Sequence, residues 1–414
     1  MWKNLLKHFS RLFVGATFVF SGFVKAVDPV GGAIKFDDYF QAFHMDWLMS
    51  LSMPFSIGLA ALEFLIGIFL VFHIFTRRTT IAAFIFMVFF TVLTLGLAIF
   101  NPVSDCGCFG DAIKLSNWET FWKNIIILAF ASFLYLNRNK VTSPYSMTRQ
   151  LILAGLTLIY ISGIAIYSFQ HLPLIDFRPY ATGNHIPSGM TIPDGAPEPE
   201  YKTTFILEKD GERKEFTEDD YPYEDSTWVF IDSKTEVISE GYEPPIQDFM
   251  LQDPDEGDLT DQLMTKDRPL FLLISPDIKK VNEEQAKKMA ELQQAGFEYD
   301  HEFYLLTSSS MDEVEQFSQK HGTDFQILQG DETNLKTIIR SNPGLLLIIN
   351  GTVAGKYHYN DLPPPGKMEQ PLSFTIKQQQ YNKTKLLIVA HLFLIVLAAM
   401  LILKFRRTIN KKNQ

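Results

Sequence analysis

Along the chain, long apolar runs alternate with short polar ones, and then the rhythm stops. Runs that are uncharged or nearly so occupy about 9–27, 54–75, 79–100, 121–137 and 150–168, and a sixth lies at about 386–403. Each is close to the ~17–25 residues that a helix rising ~1.5 Å per residue needs to cross a ~30 Å hydrocarbon layer. The pattern predicts an α-helical membrane bundle of six transmembrane helices. Glu63 alone puts a charge deep inside a run.

Between the fifth and sixth runs the pattern changes twice. A linker at 176–200 carries Pro179, Pro187, Pro193, Pro197 and Pro199, and leads into a small β-rich stretch ending near 244. There, 202–208 and 212–217 flank the hairpin signal Lys209-Asp210-Gly211, and 226–231 reads as a further strand. From 270 onward, strands at Leu270–Ser275, Glu302–Thr307 and Gly344–Ile349 alternate with helices at about 279–295, 311–321 and 332–340. Asn350-Gly351 then turns the chain into a strand at 352–357. That order predicts an α/β domain of ordinary size.

Charge orients the runs. Lys3, Lys7 and Arg11 precede the first; Arg77 and Arg78 join the second and third; Arg138, Lys140 and Arg149 join the fourth and fifth; Lys404, Arg406, Arg407, Lys411 and Lys412 follow the sixth. No acid lies among these thirteen residues, and Lys and Arg near a span resist translocation, so both termini are expected in the cytoplasm. The first run lacks a small-x-small cleavage site and is expected to remain as a span rather than leave as a signal peptide. In a bacterium this describes a multi-pass inner-membrane protein with its large domain in the periplasm. The net charge of −10 hides a split: residues 170–383 hold 39 acids against 19 bases, a net of −20. Such a surface excludes nucleic acid as a partner and leaves membrane lipid to the apolar runs.

Both cysteines fall in Asp105-Cys106-Gly107-Cys108-Phe109-Gly110-Asp111, just past the third run and on the oxidising side. A cysteine pair there tends toward a disulfide. A bridge between residues two apart is strained, and strained, exposed disulfides are the exchangeable ones. A redox-active pair is the favoured reading; free thiols that pack the loop, a structural bridge, and a metal half-site completed by His44 or another chain are the alternatives. No closed metal site is expected from two sulfurs. Glu63 stands about nine residues, or ~14 Å, from the outer end of its run, near mid-membrane, where a carboxylate is paired, protonated or functional. Lys25 is its expected partner, either in a structural pair that locks helix packing or in a proton-handling site coupled to the cysteines or to a bound quinone.

Other features carry less. Trp47, Trp118, Trp122 and Tyr39 read as an interfacial aromatic belt, His73 as an interfacial residue, and Asp37 to Leu51 as a short surface helix. Gly31-Gly32 lacks the strand and basic residue of a phosphate loop. Ser275 has no Gly-x-Ser-x-Gly elbow, and sequence places none of His301, His321 and His358 beside it.

Two resemblances refine these readings. Over about 1–140, Arg11-Leu12-Phe13-Val14-Gly15, Phe20-Ser21-Gly22-Phe23-Val24-Lys25-Ala26-Val27-Asp28-Pro29, Ala61-Leu62-Glu63-Phe64-Leu65-Ile66-Gly67 and Asp105-Cys106-Gly107-Cys108-Phe109-Gly110 resemble the DoxX/MauE family. The resemblance implies a four-helix membrane domain, quinone-linked or thiol-linked redox, and maturation of periplasmic proteins, methylamine utilisation included. The helix at 150–168, the domain, the helix at 386–403 and the basic tail at 404–414 lie outside it. Over 245–360, Ile246-Gln247-Asp248-Phe249-Met250-Leu251-Gln252-Asp253, Asp258-Leu259-Thr260 and Asn342-Pro343-Gly344-Leu345-Leu346-Leu347-Ile348-Ile349-Asn350-Gly351 resemble a thioredoxin-like domain of the peroxiredoxin or TlpA kind, with Pro343 at its cis-proline. Ser275-Pro276-Asp277-Ile278 stands where that family has its reactive cysteine, so the domain is expected to bind a partner without thiol chemistry of its own. The expected function is a membrane component of thiol/disulfide or quinone-linked electron transfer serving a periplasmic redox or client protein. The alternative is a non-enzymatic scaffold or assembly factor.

Overall fold

The structure, a computed structural model, describes residues 2–412 apart from 104, 141–142, 198–199, 210, 219, 224 and 240. Asp210 of the hairpin signal and Pro199 of the linker thus lie outside the described residues.

The N-terminal part is helical: α1 (Trp2–Val27), α2 (Pro29–Ala42), α3 (Ser52–Phe72), α4 (Thr76–Phe100), α5 (Asn117–Leu136) and α6 (Met147–Gln170). Among the described residues, five helices are long and apolar enough to cross a membrane: α1, α3 with the 3-10 turn Asp46–Leu51 before it, α4, α5 and α6. The tightest pairing is α1 against α3. A Cβ on Gly22 would lie 2.4 Å from the Phe64 nitrogen and 2.7 Å from the Ala60 oxygen, and one on Gly67 would lie 2.5 Å from the Val19 nitrogen. Glycines at these crossings let the backbones touch, as association between apolar helices requires when no water drives it.

In place of one surface helix from Asp37 to Leu51, the chain has a helix that starts at Pro29 and ends at Ala42, and, after a break with His44 at φ 56°, the 3-10 turn Asp46–Leu51. The reason is local: Asp28 accepts from the Gly31 N–H at 2.9 Å as N-cap, and Pro29 occupies the first turn, where a missing N–H costs nothing. Helix α5 opens on a capping box between Ser116 and Glu119.

After the short helix α7 (Ile186–Met190), strands β1 (Glu200–Lys209), β2 (Glu212–Phe216) and β3 (Val229–Ser239) form an antiparallel sheet in the order β2-β1-β3. The third strand runs well past the apolar residues that announce it, because the polar Asp232 to Thr235 are held by pairing with β1 rather than by burial.

The α/β part follows: β4 (Gln252–Asp253), β5 (Gly257–Asp258), α8 (Thr260–Met264), β6 (Leu270–Ser275), α9 (Glu283–Glu298), β7 (Glu302–Thr307), α10 (Met311–His321), β8 (Gln326–Gln329), α11 (Glu332–Ile338), β9 (Gly344–Ile349) and β10 (Thr352–His358). Its sheet has the order β10-β9-β6-β7-β8-β4-β5, with β6, β7 and β8 parallel and β9 antiparallel to β6. Leu270, Leu272 and Ile274 face a core shared with α8 and α11, while Phe271 and Leu273 face one shared with α9 and α10. Burial on both faces explains why β6 is an unbroken apolar run. The Asn342–Pro343 peptide is cis. The helix expected to reach residue 340 ends at Ile338; the chain is extended at Ile339 and directs Arg340 back toward the helical part. A single helix, α12 (Pro371–Lys412), contains the run predicted as the sixth span.

Candidate thiol site

The segment between α4 and α5 is shaped by left-handed residues. Asn101 ends α4 at φ 45°, and Gly107 and Gly110 have φ of 62° and 51°. Asp105 accepts from the Gly107 N–H at 2.8 Å, which folds Cys106-Gly107-Cys108 into a tight turn. The two sulfurs, both thiols, stand 2.9 Å apart; Cys106 is buried and Cys108 half-buried.

Every backbone carbonyl of the pair is anchored. Tyr39 of α2 donates to the Cys106 oxygen at 2.9 Å, and Lys25 and Ser21 of α1 donate to the Cys108 oxygen at 2.6 and 2.8 Å. The same Lys25 ammonium donates to the Glu63 carboxylate at 2.8 and 3.0 Å, with both side chains nearly closed to solvent. Lys25 follows Gly22 by one turn and Glu63 precedes Phe64, so the close α1/α3 crossing is what sets the pair in register. The structure thus brings all four residues singled out from sequence, Cys106, Cys108, Lys25 and Glu63, into one cluster.

The two thiols differ. Cys106 is pushed up, because its proton is held in the hydrogen bond to Cys108 and because it is buried. Cys108 is lowered to about 6 by accepting that hydrogen bond and, against the effect of burial, by the ammonium groups of Lys123 and Lys25. Burial also pushes the Tyr39 phenol up, so it remains a donor.

Both sulfurs, with Lys25 and Glu63, line a cavity of about 230 Å³ between α1, α2, α3, α4 and α5. Its walls are mostly aromatic and aliphatic, including Phe18, Phe36, Phe40, Phe86, Met87 and Phe90; Lys35, Tyr39, Lys123 and Asn124 are its other polar residues of note. Asn124 is held by Thr94 at 3.2 Å, and the Lys123 ammonium lies 4.2 Å from the Phe109 ring centroid.

Sequence reasoning missed Lys123, which it counted within a nearly uncharged run, and it placed Tyr39 in the aromatic belt. Trp47, Trp118 and Trp122 are exposed as a belt requires, but Tyr39 turns inward to the cysteine loop. The available signal was a lysine six residues into an apolar helix. His73 ends α3 and meets Arg11 at 3.1 Å. Ser275 is fully buried and donates to Asn342 at 2.7 Å, while His301 faces the Met368 carbonyl, His321 faces Glu283 and His358 accepts from the Asn360 N–H. Among the described residues, no group of three His, Cys, Asp or Glu side chains is placed to hold a metal.

Fold and site together define a class: a polytopic helix bundle with a thiol pair at one face of an apolar cavity, carrying a separate α/β domain. Residues 3–137 match the family described as methylamine utilisation protein MauE, so the N-terminal third of the chain is MauE-like, as its motifs lead one to expect. Residues 201–240, the β1–β3 sheet, match a domain of unknown function, DUF8463. No curated protein matches the chain.

Proposed function

We propose that this chain is a membrane thiol-redox component in which Cys106 and Cys108 cycle between dithiol and disulfide, linking a thiol-bearing partner on the side of the C-terminal domain to a quinone-class acceptor in the apolar cavity. The observation that carries this reading is the position of the sulfurs, 2.9 Å apart on the cavity wall and beside a buried Lys25–Glu63 pair. The cavity's aromatic walls suit a flat ring, and Lys123 offers it a donor, whereas the donors of Lys25, Tyr39 and Asn124 are engaged within the protein. A quinone bound there would supply an acceptor for two electrons and two protons. On the protein side two S–H bonds are lost and one S–S bond forms, with both electrons and both protons passing to the acceptor. Cys108 gives up its proton first, to the medium from which the reduced acceptor takes one up, and reacts as thiolate; Lys25 and Lys123 balance its charge, and Glu63 holds the Lys25 ammonium in place beside it.

The same proposal takes six spans with both termini in the cytoplasm of a bacterium and the domain in the periplasm, supported by the thirteen unopposed basic residues. It takes the C-terminal domain as thioredoxin-like but without thiol chemistry, supported by the strand order, the cis Asn342–Pro343 bond and a buried serine at 275. Methylamine utilisation, the process in the matched family's description, is the process proposed for the membrane part.

The test is oxidation of the reduced, detergent-purified chain by a water-soluble benzoquinone. One quinone should be consumed per disulfide formed, and Cys108→Ser should abolish the reaction. If the doubly substituted Cys106→Ser/Cys108→Ser chain complements a deletion fully, the redox reading fails and the scaffold reading replaces it.

A further inference from the structure

The cysteine loop is a wall between two cavities. Both sulfurs and Gly107 line the apolar one; Gly107 also lines, with Gly110 but with neither cysteine, a polar vestibule of about 530 Å³ between the loop, α2 and the underside of the C-terminal domain. Two ion pairs bracket the loop from the vestibule side. Lys35 of α2 holds Asp105 at 3.0 Å before the cysteines, and Arg340 of the C-terminal domain holds Asp111 at 3.0 Å after them. Arg340 also binds Asp28, the N-cap of α2, at 3.0 Å, and its third nitrogen donates to the Lys336 carbonyl at 2.6 Å. Its side chain is 7% exposed, against 16% for Asp28 and 31% for Asp111, so the cation is desolvated and its contacts are charge-assisted, although Asp111 still meets water. Gly107 and Gly110 both lie in the left-handed region, which glycine adopts at no Cβ cost.

We propose that Arg340 is a positioning residue of the thiol site: by joining Asp28 to Asp111 from the C-terminal domain, it braces the far end of a loop whose cysteine carbonyls Tyr39, Lys25 and Ser21 hold, and its release leaves those bonds alone to keep the sulfurs inward, so that the loop opens more often toward the vestibule and an aqueous thiol partner. The inference rests on the redox reading for its purpose, but its geometry stands apart from turnover. It makes the domain without cysteines a working part of the site, since removing one contact of that domain changes how often the loop opens toward the vestibule.

The test is the alkylation rate of the reduced pair in full-length protein in lipid vesicles, using a neutral, water-soluble maleimide that reaches the loop from the aqueous side. Arg340→Gln should raise the rate on the order of tenfold, as the loss of charge-assisted bonds from the inward state predicts. Asp111→Asn, which leaves the C-terminal domain untouched and so guards against misfolding of the first variant, should do the same. The double variant should be no faster than either single one. Lys336→Gln removes one unit of charge from the same vestibule without freeing the loop, and should leave the rate unchanged. An unchanged rate in Arg340→Gln, an equal rise in Lys336→Gln, or additive effects in the double variant would overturn the proposal. Failure of quinone oxidation alongside a raised alkylation rate would instead count against the redox reading and leave Arg340 as the positioning residue.

Discussion

Cys106 and Cys108 share a turn but not an environment, and the difference assigns them unequal roles. A thiolate forms above its pKa, so reduced Cys108 should gain reactivity toward iodoacetamide as pH rises through about 6, while Cys106, raised instead, stays protonated over that range. Peptide-resolved mass spectrometry across pH reads both. Lys123→Gln removes a stabilising ammonium and should move the Cys108 midpoint upward. In the oxidised pair the better leaving group is the thiol of lower pKa, so an incoming thiolate attacks Cys106 and releases Cys108. In Cys108→Ser, Cys106 first converted to its mixed disulfide with thionitrobenzoate should therefore pass to a mixed disulfide with the partner thiol, releasing thionitrobenzoate, and the product should persist as a shifted band on non-reducing gels because no second thiol resolves it. Glu63→Gln leaves Lys25 buried without a counter-charge, which costs roughly 3–5 kcal/mol, whereas Lys25→Met with Glu63→Leu exchanges the pair for apolar groups at little cost. Thermal unfolding in detergent should fall for the first and recover for the second, and quinone-dependent oxidation should be lost in both. The cysteine pair and the Lys25–Glu63 partnership were legible in the sequence because a charge in an apolar run demands a partner. Lys123, Tyr39 and Arg340 were not, because each acts on a loop that lies beside it only after the chain has folded.

Among elements, the membrane helices were legible because long apolar runs admit few alternatives. The start of α2 and the length of β3 were not, because the first depends on one capping carboxylate and the second on a neighbouring strand. The α1/α3 crossing depends on a position where any side chain meets backbone: Gly22→Val would press carbon against the Phe64 nitrogen and Ala60 oxygen. That variant should separate the helices, break the Lys25–Glu63 contact and lower the thermal midpoint, whereas substitution at Gly58, which has open space around it, should not. A second junction sits where the linker meets β10. Asp176 binds Arg178 and Lys356 at 2.7 Å each, both cations are almost fully buried, and burial with the Arg178 charge lowers Lys356 to about 7. Asp176→Asn leaves the buried Arg178 charge without its partner and drives Lys356 further toward its neutral form, and should destabilise the C-terminal domain by roughly 3–5 kcal/mol in denaturant titration.

For the whole molecule, a basic membrane part and an acidic domain were plain from the distribution of charge, and the alternation of strand and helix was plain from periodicity. Contact between the two parts was not, since Arg340 and Asp28 stand 312 positions apart and nothing in either segment names the other. In a chain lacking Cys106 and Cys108, a cysteine placed by Lys234→Cys should react with an impermeant maleimide in intact spheroplasts, and one placed by Lys411→Cys only after permeabilisation. Labelling of the second site in intact cells would rule out the proposed topology. The domain is tied to the membrane part at both ends, by α6 and by α12, whose Tyr160 and Phe393 rings lie 5.6 Å apart. Arg340 consequently meets Asp28 and Asp111 as an intramolecular partner, at an effective concentration on the order of millimolar for a short tether. An interaction closed in that way needs little affinity of its own. The domain expressed as a separate chain should fail to bind the helical part at micromolar concentration, and a physiological partner that opens the vestibule has to compete against a tether rather than against a tight interface.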